Sequence, residues 1–523
     1  MAEVTFAKLY KNVVEAFKGD IFIEYFENGR KVQWSKEKFM QITDSLSAYF
    51  AERLKNVKKG TWVGICCDNS PYWVSIFFAL EKCGYCVAML NCSFTAEQVN
   101  SFSKNLGIEA VIEDNYERAE KLDVKELIMT DDLKKVPVNS EYNTSDECWE
   151  TKTAFVTSGT TSNSKLYVFS AESIAEQIYY ITAQKSAYNK MYGDKIHRFL
   201  QILPLRHCLG FGTAMALWIF GYTAFFPDNI GILTIIDTIR KADINYMVGV
   251  PAIWKAIFSV VRIKTKSKVI TEQSFRAVMG DSLLSGICSG AKAEETLIRD
   301  FRNLSLEIIN GWGMTEIGIA MVGFFSDNTS YNYTGKILKG SDYKVAFEDE
   351  NGNISESGTG ELLINGNCLY SAVLTEEGLI PRKDEWFHTG DIFENIDTDY
   401  YFKGRCKSVI ITDSGENLYP EELEESFCEI LSDVPQFCIA CYQNCPVLFI
   451  YAPEAEKKVL EEKIRCQNQE LMPDKRIAGV FISENPLPVT TKGESSRFKL
   501  AEFFESNKKY FNTIILQKGK LNL

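Results

Sequence analysis

Histidine is scarce in this 523-residue chain: three residues in all. That leaves little for a zinc centre, and the fifteen cysteines do not supply one. Two pairs have CxxC spacing, Cys83/Cys86 in "CGYC" and Cys438/Cys441 in "CIAC". Neither sits in the Cys/His cluster that tetrahedral zinc needs, and "CIACY" reads as strand interior. Reduced structural thiols are expected. Long apolar runs are missing too: none reaches the roughly eighteen residues of a membrane-spanning helix. The start, "MAEVTFAKLYKNVVEAF", breaks its apolar residues with charges, unlike a secretory signal. Positive charge is in deficit. A formal charge of −13 and a pI near 5.1 argue against a nucleic-acid partner. By elimination the expected compartment is the cytoplasm. No proline-rich, low-complexity or repeated segment occurs.

What is present is an ordinary globular composition, 46% hydrophobic and 24% charged, in a chain too long for one small core. Two or more domains are expected. "FMQITDSLSAYFAERL" has apolar residues at three- and four-residue spacing and predicts an amphipathic helix. "TWVGICC" predicts a strand, "SPYWVSIFFALEKCG" a buried helix ending at glycine, and "YCVAML" the next strand. Strand–helix–strand alternation implies a parallel sheet covered by helices, and the rhythm returns from about 170 to 320. Between about 330 and 405 the texture becomes short β segments, with Asn351-Gly352 marking a hairpin. After "GRCKSVIIT" a smaller α+β pattern follows, so the domain boundary is placed near Gly404 to Ser408.

The stretch "TSGTTSNSK", Thr157 to Lys165, concentrates six hydroxyl side chains around one glycine and one lysine. Between the strands "TAFV" and "LYVFS" it reads either as a cradle for a polyphosphate or as a polar hairpin tip. It is not the common P-loop, because Ser164 and Leu166 stand where that pattern needs glycine and a hydroxyl. Three further stretches carry unusual chemistry. "NGWGMTE" (Asn310 to Glu316) sets glycines beside an aromatic and ends in a carboxylate, and "WFHTGD" (Trp386 to Asp391) ends in a carboxylate on a glycine turn. "GRCKSVIITDSGENLYPEELE" places two cations at the domain junction and a Gly-Glu-Asn turn before a helix. Each alone also fits a plain turn.

In this order and spacing the four stretches resemble the acyl-adenylate-forming (AMP-binding) superfamily of acyl- and aryl-CoA synthetases, peptide-synthetase adenylation domains and luciferases. The resemblance runs from "VGICCDNSPYW" to "LPVTTKGESSRFKL". It implies an α/β fold: a large N-terminal domain, residues 1–403, made of two parallel-type αβ subdomains and a β-rich subdomain. A hinge at 404–410 and a small mobile α+β domain at 411–523 would follow. The family joins a carboxylate to the α-phosphorus of ATP, releasing pyrophosphate, and then passes the acyl group to a thiol. Joining two anions calls for positioning and charge neutralisation.

The resemblance also assigns roles. Thr157, Ser158, Gly159, Thr160 and Thr161 would wrap the β- and γ-phosphates, and Lys165 would neutralise charge. Trp312, within Asn310, Gly311 and Gly313, would stack on adenine where tyrosine is more usual. Thr315 would hydrogen-bond the α-phosphate, and Glu316 would hold Mg2+. Asp391 would accept both ribose hydroxyls, and Arg405 would meet the ribose or phosphate region. "PLRHCLG" would line the acyl pocket through His207, although a buried core histidine remains the plain alternative there and at His388. Gly290, Ala291 and Lys292 would lie near the acyl group and adenine. Gly415 would face the thiol of CoA or of a carrier protein's phosphopantetheine. The aspartate that pairs with an amino-acid ammonium has no counterpart in "RHCLGFG", so a fatty or aromatic acid is expected.

One departure bears on chemistry. The family's C-terminal lysine bridges substrate carboxylate and α-phosphate; in "PVTTKGESSR" Pro488, Thr490 and Gly493 fall in register and Glu494 takes the lysine's place. A unit-charge contact is worth about 4 kcal/mol at about 4 Å and an effective dielectric of about 20. Exchanging attraction for repulsion there depresses adenylation by orders of magnitude, unless Lys492 substitutes from the same side of an extended segment. The competing expectation is therefore a protein that binds ATP or acyl-AMP with weak or partial adenylation. Ser162 and Ser164 replace the loop's usual glycine and proline, and Ser408 the usual hinge Asp or Lys.

Overall fold

The computed structural model describes every residue except 1–4, 139–140, 144, 146–147, 151, 157–165, 196, 268, 291–292, 294, 324–332, 339–343, 350–351, 376–377, 412–416, 444, 454–456, 472–474, 490–494, 518–519 and 522–523. Local signals set the elements where expected. Thr95 caps helix Ala96–Leu106 in a capping box with Gln98, and Gly107 at φ 64° ends it. Helix Pro251–Thr265 starts with proline one residue after strand Tyr246–Gly249, with Val250 as its N-cap, where the missing N–H costs nothing. Trp254 of that helix is fully buried and donates Nε1–H to Ile287 O at 3.2 Å, fastening the helix to the strand beside its own.

Two large sheets organise the first part of the chain. One has eight strands: Trp62–Cys66, Cys86–Met89, Ile108–Glu113, Glu126–Met129 and Lys152–Val156 run parallel, and Leu166–Ser170 pairs antiparallel with the last of these. The other has fourteen. Its parallel half sets Thr223–Phe226, Arg198–Leu200, Tyr246–Gly249, Ser285–Cys288 and Glu307–Met314 side by side. Past Glu307–Met314 the pairing turns antiparallel through Gly318–Val322, Tyr333–Ile337, Asp399–Arg405, Phe387–Ile396 and Thr359–Asn365. The β-rich segment is thus continuous with the second αβ sheet.

Sheet membership departs from chain order in two places. The hairpin Ile23–Glu27/Arg30–Trp34 joins the second sheet beside Thr223–Phe226. The hairpin Ala372–Thr375/Gly378–Pro381 crosses back to the first, beside Leu166–Ser170. Trp218 marks the first crossing, stacked on Phe22 at 4.8 Å and donating Nε1–H to Phe22 O.

The last part is a small α+β unit. Its sheet runs Gln436–Tyr442, Cys445–Tyr451, Gly479–Ser483 and Phe511–Ile515. One face buries Ile439, Leu448, Ile450 and Ile464, and the other stacks Phe481 on Phe504 at 4.0 Å. Cys438 lies buried in the first of these strands, as its sequence context implies, while Cys441 is exposed. Helix Pro420–Cys428 lies against strand Asp399–Arg405: a Cβ on Gly404 would stand 2.8 Å from Glu421 Oε2 and 3.3 Å from Tyr419 Cδ1.

Candidate active site

In the second sheet the strand Arg198–Leu200 has Thr223–Phe226 on one side and Tyr246–Gly249 on the other, so the chain reverses its direction of travel there. Crevices at the carboxyl ends of strands at such a switch are the usual ligand sites of α/β sheets. The segments that leave these ends carry the motifs. "PLRHCLG" follows the first strand, and His207 stands at the N-cap of helix Cys208–Phe220 with its backbone N–H donating to Pro204 O. Val250 follows strand Tyr246–Gly249, and Gly290 comes just after strand Ser285–Cys288. A Cβ on Gly290 would sit 3.3 Å from Val250 Cγ1 and 3.7 Å from Leu209 Cδ2, so three stretches distant in sequence share one wall. Cys208 Sγ lies 3.8 Å from Met314 O, which ties this wall to the start of "MTE".

Strand Glu307–Met314 then delivers the nucleotide-binding candidates. Asn310 donates Nδ2–H to Tyr333 O at 3.0 Å, and Gly311 faces Ser289. Trp312 donates Nε1–H to Asp391 Oδ2 at 2.9 Å and packs edge-on to Phe393 at 5.1 Å. Asp391 is 6% exposed. Arg405 lies opposite it in register, with Nε 3.3 Å from Asp391 Oδ1. Each oxygen of this carboxylate faces one donor, the indole N–H or the guanidinium, and keeps a further lone pair for a hydroxyl. Thr315 and Glu316 form the turn into Gly318–Val322, and Glu316 O accepts from the Tyr370 N–H at 3.2 Å.

Tyr167 connects this turn to the hydroxyl-rich loop. It lies in strand Leu166–Ser170, immediately after residues 157–165, and its phenol is close enough to the Glu316 carboxylate to feel its charge. Burial first, then the Glu316 carboxylate and Tyr370, push the Tyr167 phenol well above its ordinary value. It therefore stays protonated and neutral at neutral pH. The loop's two ends meet across the Val156–Leu166 pair.

Several expected site residues lie outside the described residues: Thr157, Ser158, Gly159, Thr160, Thr161, Lys165, Ala291, Lys292, Gly415, Lys492 and Glu494. Those that are described do converge. Gly290, Asn310, Gly311, Trp312, Gly313, Thr315 and Glu316 line the carboxyl edge of neighbouring strands, His207 sits one segment away, and Asp391 and Arg405 close on Trp312 from the antiparallel half. The plain core-histidine alternative does not hold: His207 is half-buried and His388 is exposed. Sequence reading missed Tyr167 and Glu361. Tyr167 sits two residues past the loop, one strand step from its end, and that spacing was the available signal. Glu361 of "GELLING" reaches the "HTGD" turn only through cross-strand register, which no local pattern reports.

The profile of a family described as AMP-binding enzyme matches residues 12–373. The mitochondrial medium-chain acyl-CoA ligase ACSF2 of Danio rerio is 23% identical over 456 residues, 75% of this chain and 72% of that protein. Among solved structures, the anthranilate CoA ligase AuaEII in complex with anthranoyl-AMP superposes with a TM-score of 0.77 at 17% identity, over 96% of this chain and 98% of that one. The o-succinylbenzoate CoA synthetase of Bacillus subtilis, in complex with ATP and magnesium, gives 0.70 at 18% identity over 94% and 98%. At these identities the structural likeness concerns the fold: a large N-terminal and a small C-terminal domain.

Proposed function

The chain belongs to the AMP-binding enzyme family, and from that premise we propose an ATP-dependent acid–thiol ligase that activates a fatty or aromatic acid and transfers it to CoA. The observation that carries the reading is the Trp312–Asp391–Arg405 cluster, a buried carboxylate beside an aromatic ring at a strand-end crevice. Asp391 would accept the ribose hydroxyls, Trp312 would flank adenine, and Thr315 would donate to the α-phosphate. The Thr157–Lys165 segment would hold the outer phosphates, supported by the nearness of Tyr167, just after it, to the Glu316 carboxylate. The oxygen-rich turn at Glu316 suits Mg2+, which would supply charge neutralisation between phosphate oxygens.

The chemistry balances simply. A carboxylate oxygen attacks the α-phosphorus and pyrophosphate leaves; a thiolate then attacks the acyl carbon and AMP leaves. The protein's part is to hold the anions in line and offset their charge. His207 and the Gly290 wall would shape the acid's pocket. We take residues 404–410 as a hinge and 411–523 as the lid, supported by the packing of helix Pro420–Cys428 on strand Asp399–Arg405 and by Arg497, whose guanidinium meets Glu421 at 3.1 Å and Glu424 at 2.6 Å. Gly415 in that lid would approach the thiol. Among the described residues no helix is long and apolar enough to cross a membrane, and the cytoplasm is the compartment we propose.

Pyrophosphate release with a panel of fatty and aromatic acids, with and without CoA, tests this. Acid-dependent release followed by thioester is expected; ATP binding without turnover on any acid overturns it. Glu494 supports a second reading, a binder of ATP or acyl-AMP with impaired adenylation. Glu494→Lys separates the two. Under the second reading it raises acid-dependent ATP–pyrophosphate exchange by orders of magnitude and leaves thioester formation from synthetic acyl-AMP unchanged. No gain points to Lys492 or another solution.

A further inference from the structure

The turn that presents Asp391 is held from behind by a carboxylate that takes no part in the proposed chemistry. Gly390 adopts φ +72°, a left-handed conformation that allows the chain to turn immediately before Asp391. Its N–H donates to Glu361 Oε1 at 2.8 Å. Glu361 Oε2 lies 3.1 Å from His388 Nδ1, and Glu348 Oε2 faces the same nitrogen at 3.4 Å. One residue on, Thr389 Oγ1 donates to Leu362 O at 2.7 Å and accepts the Asp391 N–H at 3.1 Å. The pairing register between strands Thr359–Asn365 and Phe387–Ile396 shifts between Glu361 and Leu363, where these contacts are made. Glu361 still pairs with Ile392, and the irregularity that follows it lies where its side chain meets the turn.

We propose that Glu361 is a positioning residue: through Gly390 and His388 it fixes the turn so that the Asp391 carboxylate is directed at the nucleotide's ribose hydroxyls. This rests on the reading of Asp391 as the ribose acceptor. A carboxylate bonded to a backbone N–H on one oxygen and to an imidazole on the other resists rotation, and the turn inherits that rigidity. Trp312 and Arg405 restrain the Asp391 side chain from the front; Glu361 restrains its backbone.

The test measures the preference for AMP over 2′,3′-dideoxy-AMP by calorimetry. A general loss of structure weakens both ligands alike and leaves the ratio unmoved; misdirection of Asp391 lowers the ratio. Glu361→Ala is expected to cut the preference about tenfold, in line with loss of a charged hydrogen bond. Glu361→Gln keeps an acceptor for Gly390 and should retain most of it. Glu361→Asp, with a shorter arm, should lose it, and serves as the readout if the alanine variant does not fold. The double variant Glu361→Ala/Asp391→Ala should prefer AMP no less than Asp391→Ala alone. A wild-type ratio in both Glu361→Ala and Glu361→Asp overturns the proposal while Asp391→Ala still abolishes the preference. If Asp391→Ala also keeps the wild-type ratio, the ribose reading itself fails and the proposal falls with it.

Discussion

At Asp391 the side chains of two other strands meet one carboxylate, and the site's legibility divides there. Asp391, Trp312 and Glu316 could be picked out because each sits in a short stretch whose residue types fit one chemistry. Their mutual contacts could not, since 79 residues separate Trp312 from Asp391 and register decides which side chains meet. Tyr167 and Glu361 belong to this unreadable layer. Away from the site, Glu81 is a fully buried carboxyl on helix Trp73–Lys82. Burial, and secondarily the Glu150 carboxylate, push its pKa well above the usual carboxylate range. With the folded pKa above the unfolded one, its contribution to stability is complete below the unfolded value and is lost as pH rises through the folded value. Thermal unfolding between about pH 5 and about pH 8 should therefore show the wild type losing more stability than Glu81→Gln. Parallel curves for the two proteins would contradict the burial argument.

Among elements, periodicity identified strands and helices well but not their partners. "FMQITDSLSAYFAERL" forms helix Lys36–Arg53 with Ser35 as its cap, as the spacing predicts. The terminal strand Phe511–Ile515 and the exchange of hairpins between the two sheets were invisible, because strand pairing is decided over long sequence distances. The hairpin that carries Trp312, Thr315 and Glu316 shows how tight the local fit is. A Cβ on Gly313 would lie 2.1 Å from Gly318 O and 2.7 Å from Ile319 Cα, at the point where the register bulges. Gly313→Ala must part these strands, at about 1–3 kcal/mol, and should lower both the melting temperature and the affinity for AMP. Gly212, in helix Cys208–Phe220, meets nothing within 4 Å of its would-be Cβ, so Gly212→Ala is the control: it should hold or raise the melting temperature and leave the affinity for AMP unchanged. Equal losses in the two variants would mean that the hairpin is not the sensitive element.

For the whole molecule, alternation of strand and helix announced two parallel sheets, and the motif order announced the large-and-small domain plan. What sequence patterns did not convey is that the β-rich segment extends the second αβ sheet without a break. That continuity matters for function. Three strands lie between the one bearing Asp391 and the one bearing Trp312, yet their side chains meet, so one crevice draws on both halves. The strands that flank residues 157–165 pair at Val156–Leu166 in the first sheet, and Tyr167 stands near Glu316. Base, sugar and phosphates would thus each meet a different layer of the fold. A crystal structure with ATP bound tests this most directly. The account predicts adenine against Trp312, ribose hydroxyls on Asp391, and the triphosphate running from Thr315 and Glu316 toward Thr157–Lys165. A nucleotide bound elsewhere, with Asp391 still closed on Trp312 and Arg405, would contradict it.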